Sequence, residues 1–190
     1  MNKYIAIYTF FITSLFIFTS CVTIKMVSVD QKTELENQIL GSINSLQEDL
    51  ILVSSIRGEG SNYNAISPAH KEALYSVMNR QYNLDDVNTL KRQGIAGEKL
   101  NGLLFMFETE QTKNSKTFDS FARRIISEEN HDRSVIMKRV IAVNPNLSAR
   151  DEPLIQNIMY KLNLQSSPIE TKAQTTSGEW ETLSDTKKQP

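Results

Sequence analysis

No charged residue occurs between Tyr4 and Ile24, and this run settles how the rest of the chain can be arranged. Lys3 and the free amine precede it, Tyr4 to Phe18 are apolar apart from Thr9, Thr13 and Ser14, and the small residues Thr19 and Ser20 follow. A positive start, an apolar middle and a small-residue end are the layout of a secretory signal. Two other readings compete. The run is long enough for an uncleaved spanning helix of about 20 residues, but its hydroxyls weaken a span and Lys25 beyond it gives no orientation advantage. As a buried helix of a soluble domain it would be apolar on every face, which makes a poor amphipathic element.

Phe18, Thr19, Ser20 and Cys21 resemble a bacterial lipobox, with Phe where Leu is usual. In that pattern residues 1–20 are a lipoprotein signal peptide and the thiol of Cys21, acylated before cleavage, becomes the new N-terminus. Cys21 is the only cysteine, so no thiol would remain for a disulfide, a metal or a nucleophile. The chain carries 21 basic and 22 acidic side chains, of which the signal removes only Lys3. The remaining 170 residues suffice for one domain and have no basic excess to hold nucleic acid. Lys91 with Arg92 and Arg123 with Arg124 read as solvated helix faces.

Residues 21–32 form the lipidated N-terminus and a short tether. Val22, Ile24, Met26 and Val29 partly alternate, so this segment reads as extended through Asp30. Thr33 and Glu36 form a capping-box pair, which predicts a helix start. Leu35, Ile39, Ile43, Leu46, Leu50 and Val53 give it one apolar face up to the stop at Arg57–Gly60. Gly41 inside it costs about 1 kcal/mol relative to Ala, marking either a close helix crossing or a tolerated glycine. Ser67 and Pro68 open a second helix to Tyr82, and Asn83 caps a third, Leu84 to Gln93, closed by Gly94.

Three glycines in nine residues then fix turns in Gly94–Gly102, and Leu103 to Phe107 reads as a buried strand with the segment after Cys21 as its partner. Thr109 to Ser115 is a polar loop. Phe118, Phe121, Ala122, Ile125 and Ile126 restart the helical period, and Val135, Ile136, Val140 and Val143 continue it until Asn144 and Pro145. Between them, Ser127–Ser134 is either the wet outer turns of one helix or a break at Asn130. A last helix begins near Asp151 or Glu152 and carries Leu154, Ile155, Ile158, Met159 and Leu162. Residues 165–190 are rich in Ser, Thr, Lys and Gln and read as a disordered tail, with Trp180 either solvated or a docking anchor. The expected fold is mainly α: a bundle of four to five helices over residues 33–164, with a short two-stranded β element.

No GxSxG, P-loop or strand-linked GxGxxG occurs, and no catalytic residue, cofactor or metal ligand is nominated. Glu128, Glu129, His131 and Asp132 are the right residue types for a metal or acid–base site within a turn and a half. Alternating charges on a solvated helix look the same, and that is the reading preferred here. His70 reads as exposed.

The stretch LKRQGIAGEKLNGLL, Leu90 to Leu104, resembles the YdbL-like family of small bacterial envelope proteins, as does ARRIISEENHDRSVIMKRVIAVN further on. The resemblance spans 66–164 and implies an envelope protein of unknown biochemical activity that acts as a modulator or chaperone of AsmA-like lipid-transport bridges; the lack of a catalytic constellation makes a non-enzymatic interaction protein the expectation. The lipobox and the first helix are departures from that family. The expected partner contact is Gly94, Gly97, Glu98, Asn101, Gly102 and Leu103; the alternative is a hydrophobic-ligand carrier with a cavity lined by Phe105, Phe107, Phe118 and Phe121. Val22 is not the aspartate that retains lipoproteins in the inner membrane of some diderm bacteria, so the expected place is the outer membrane, facing periplasm or cell surface.

Overall fold

Proline at a first helical position preceded by serine is a strong start signal, and Pro68 opens its helix where that rule puts it. Ser67 accepts a hydrogen bond from the His70 amide, and the helix runs Pro68–Tyr82. The computed structural model describes residues 29–55 and 66–184. Two compact units divide the chain at Lys32–Thr33; of the first, the described part is residues 29–32.

The described helices are α1 (Val29–Ser55), α2 (Pro68–Tyr82), α3 (Leu84–Arg92), α4 (Glu110–Asn114), α5 (Lys116–Val143) and α6 (Glu152–Ser166), the last entered through a 3-10 turn at Ala149–Asp151. The mainly helical class is as expected. None of these helices is long and apolar enough to cross a membrane. Helix α1 starts before Thr33, because Asp30–Lys32 contain no breaker to stop it propagating backwards. Val29 and Asp30 are therefore helical, whereas 22–28 and Cys21 lie outside the described residues. Asn83 takes the N-cap position of α3 as expected, but its side chain makes no cap hydrogen bond; its amide donates to Glu128 Oε2 at 3.2 Å. The loop expected at Thr109–Ser115 contains α4, started by a capping box between Thr109 and Thr112.

The expected two-stranded element is a four-stranded sheet of order β2-β1-β3-β4. Strand β1 (Ala96–Glu98) pairs antiparallel with β2 (Leu104–Met106) and parallel with β3 (Lys172–Gln174), which pairs antiparallel with β4 (Trp180–Thr182). So the apolar run is a strand, but its partner is the glycine-rich stretch just before it. A five-residue loop, 99–103, joins the two, with Gly102 at φ +77° in the left-handed region that a side chain resists. The tail expected to be disordered contributes β3 and β4; residues 185–190 lie outside the described part.

On the outer edge of the sheet, the Asn130 amide of α5 substitutes for a missing strand. Its Oδ1 accepts from Leu104 N at 2.7 Å and its Nδ2 donates to Leu104 O at 3.0 Å. Helix α5 is continuous through Asn130, and this pairing of side chain with strand is what the asparagine does there.

Two apolar clusters flank the middle of α5. One gathers Ile39 and Leu46 of α1, Leu74 and Val77 of α2, Ile136 and Val140 of α5, and Ile155 and Met159 of α6. The other gathers Val87 and Leu90 of α3, Ile95, Leu104, and Ile125 and Ile126 of α5. Along the α5 axis, Glu129 and Arg133 fall between them.

The two glycines singled out by their places in the sequence behave oppositely. A Cβ on Gly97 would lie 2.8 Å from the Phe107 ring and 2.9 Å from the Lys172 carbonyl oxygen. One on Gly41 would meet nothing within 4 Å, so no helix crosses there. Urea unfolding should therefore show Gly97→Ala destabilised by about 1–3 kcal/mol and Gly41→Ala stabilised by up to about 1 kcal/mol. Equal effects at the two positions would contradict this packing.

Candidate functional site

The two stretches that carry the family resemblance meet inside the protein. Glu98 of β1 and Arg133 of α5 are 0% and 1% exposed, and they form a two-pronged ion pair with Nη1–Oε2 at 2.7 Å and Nη2–Oε1 at 3.0 Å. Arg133 also donates from Nε to Glu129 Oε1 at 2.6 Å and from Nη1 to the Gly102 carbonyl at 2.9 Å. Lys91 of α3 reaches Glu98 Oε1 at 2.7 Å and donates to Ser167 Oγ at 2.8 Å. Arg80 of α2 donates to Glu129 Oε1 at 2.9 Å and to Asn163 Oδ1 of α6 at 3.1 Å. Three cations thus serve two carboxylates, with the surplus charge on Arg80, the member nearest solvent.

Burial alone would push both carboxyls up, but the charges they face prevail. Arg133 and then Lys91 hold Glu98 below the usual carboxylate range, and Arg133 and Arg80 do the same for Glu129. Burial pulls the Lys91 ammonium down despite Glu98. Arg133 stays charged, because the two carboxylates outweigh its own desolvation. At the centre of the network Glu98 and Arg133 are charged and shut away from solvent, a place from which they orient elements.

Beside it, between α2 and α5, lies an open polar cleft of about 400 Å³ lined by Asn79, Tyr82, Asn83, Arg124, Glu128, His131 and Asp132. The 3.6-residue period puts Arg124, Glu128, His131 and Asp132 on one face of α5. Arg124 Nη1 bonds Glu128 at 3.1 Å. Asp132 is 3% exposed, and burial pushes its carboxyl up although Ser76 and Asn79 hydrogen-bond it. Tyr82 stands at the rim, 89% exposed, with Leu84 at 50% and Met78 at 44% nearby in sequence. Chemically the cleft offers carboxylates, amides, a guanidinium and an imidazole for polar contacts beside the Tyr82 ring. Among the described residues no three His, Cys, Asp or Glu side chains gather as metal ligands would.

The sequence-nominated residues are redistributed. Of the expected partner contact, Gly97, Glu98 and Gly102 are buried and Gly94, Asn101 and Leu103 half-buried, so the inner half of that turn belongs to the network. The four phenylalanines do not come together. Phe105 and Phe107 stack with Trp180 on one face of the sheet, at centroid distances of 4.9, 5.4 and 4.8 Å. Phe118 and Phe121 pack with Leu104 and Met106 on the other face. Trp180 is docked, though within its own chain. Glu128, His131 and Asp132 do share a cleft, whereas Glu129 turns into the network, and Lys91 is buried. Sequence reasoning missed Arg80, Arg133 and Asn163 altogether. The available signal was that Glu129, Arg133 and Ile136 continue the apolar spacing of α5, which marks charged residues on an inward face.

No protein-family model matches the chain, and neither does any curated protein or solved structure. The site therefore stands on its own geometry.

Removing one partner of a buried ion pair strands the other, at a cost of about 3–5 kcal/mol. Arg133→Met should lose stability of that order in denaturant unfolding; a loss no larger than an ordinary surface change would refute the network's role. The carboxylates' lowered values also set the sign of the acid response. Their contribution is complete above the unfolded carboxylate pKa of about 4 and is lost as pH falls through the lowered folded values, so the unfolding midpoint should drop steeply below about pH 4. Asp132 has the opposite sign: its raised value means that the charged form weakens the fold. Asp132→Asn should raise the midpoint at pH 7, and the gain should shrink as pH falls towards the unfolded pKa.

Proposed function

We propose that this chain is a lipid-anchored interaction protein of the cell envelope, held through acylated Cys21 and meeting a protein partner at the α2–α5 cleft. The observation that carries the proposal is the convergence of Asn79, Tyr82, Asn83, Glu128, His131 and Asp132 on one open cleft with an exposed tyrosine. Recognition surfaces combine such apolar anchors with polar contacts, and tyrosine is over-represented among the residues that carry binding energy. The cleft is the more accessible of the two candidate places of contact, since Ile95 to Glu98 and Gly102 of the GIAGEKLNG turn are buried.

The anchor follows from the first twenty-one residues. Each buried methylene contributes about 0.8 kcal/mol; one acyl chain holds marginally, and the two or three of a bacterial lipoprotein hold stably. Seven residues, hence eight Cα-to-Cα steps, separate Cys21 from Val29, a reach of at most about 28 Å, which keeps the start of α1 close to the bilayer. The sequence resemblance suggests an AsmA-like lipid-transport bridge as the assembly served, in the outer membrane and without catalysis by this chain.

Two experiments test the reading separately. Cys21→Ala should abolish acylation in intact-mass analysis and release the protein from the membrane fraction. A photo-crosslinker placed at Tyr82 should capture a discrete membrane-associated protein, whereas one at exposed Glu179 should not. Glu128→Gln, with unfolding unchanged, should weaken that capture. Identical products from both crosslinker positions would remove the cleft from the account.

A further inference from the structure

A second cleft, of about 310 Å³, lies between α1, the first turn of α2 and the end of α5, and its lining includes Gln38, Gly41, Ser45, Asp49, His70 and Arg139. Three described arginines are not exposed. Arg80 and Arg133 are fully engaged by carboxylates and amides, but Arg139 has no ion pair or hydrogen bond among the described residues. A half-buried guanidinium loses water without gaining a partner, and its planar fork of donors matches two oxygens of a phosphate or carboxylate.

Gly41 supplies an independent observation. A glycine inside a helix costs about 1 kcal/mol relative to alanine, and here no helix crossing accounts for it, since the space where its side chain would stand is empty and opens on this cleft. The Asp49 carboxylate, which would repel an anion, is occupied by His70, with Nε2–Oδ2 at 3.1 Å. That imidazole engages one oxygen of Asp49, and Arg139 is left as the cation of the lining without a partner among the described residues.

We infer that this cleft binds a small phosphate-bearing molecule, with Arg139 gripping the phosphate, His70 holding Asp49 by a hydrogen bond, and Gly41 leaving room for the remainder. Ser45 and Gln38 are within the same lining and supply neutral donors. This site is separate from the α2–α5 cleft and does not depend on the interaction proposed there.

Calorimetric titration of the full-length protein in detergent provides the test, with inorganic phosphate as the free probe and a short-chain phosphatidic acid, below its micelle threshold, as the lipid probe. Wild type should bind at least one of them. Arg139→Gln and Gly41→Leu should each weaken binding by about tenfold or more, the weight of a charge-assisted hydrogen-bonded pair, while circular dichroism and the unfolding midpoint show both folded. Arg139→Lys should restore binding only in part. Tighter binding of the phosphatidic acid would identify a lipid headgroup as the source, and equal or weaker binding a free phosphate compound. Failure of wild type to bind either probe, or unchanged affinity in either folded variant, overturns the inference.

Discussion

The pairing of Arg133 with Glu98 is the constraint to which the other elements are fitted. A guanidinium and a carboxylate, both withdrawn from water, are tolerable only with nearly every donor and acceptor answered. Here the answers come from α2, α3, α5, α6, the residue after α6 and the carbonyl of Gly102. Each element must therefore arrive at one place and in one register. Two hydrophobic clusters could slide against one another at small cost, because apolar contact is not directional. A polar knot at their seam, on the helix that belongs to both, removes that freedom. Burying ions is not itself a source of stability, and a well-packed apolar replacement could do as well. What the knot supplies is a single arrangement.

Local punctuation made much of the helical part legible from sequence. Ser67 with Pro68, the Asn144–Pro145 stop and the proline near the start of α6 all fall where side-chain chemistry places helix ends. The sheet was only half legible. Leu104–Met106 announces itself as an apolar run, but Ala96–Glu98, Lys172–Gln174 and Trp180–Thr182 are three residues each, too short for a period, and their pairing joins positions more than seventy residues apart. Nothing local in Thr171–Thr182 states that Ala173 fits beneath a strand or that the indole of Trp180 closes over Gly97.

The candidate site was hidden for a related reason. Hydrophobic periodicity takes charge as a sign of solvent, so Glu129 and Arg133 looked like the wet side of α5 when they occupy its inward face. Spacing alone cannot tell an ion facing water from one facing a counter-ion brought from another part of the chain. Glu128, His131 and Asp132 were nominated as a group and do share a cleft, yet their neighbours Asn79, Tyr82 and Asn83 come from the end of α2, which only the fold brings alongside. A glycine at position 97 was legible as important, but its importance lies in the aromatic rings stacked over it and not in exposure.

Asn130 has a consequence for how this molecule coexists with its own copies. An open strand edge invites a neighbour's backbone to add on, and repetition of that step leads to fibrous aggregates. Because an amide from α5 already occupies both the donor and the acceptor of Leu104, recruitment at that margin would first require displacing a side chain from a well-packed helix. Such a plug keeps the sheets of neighbouring molecules from joining there.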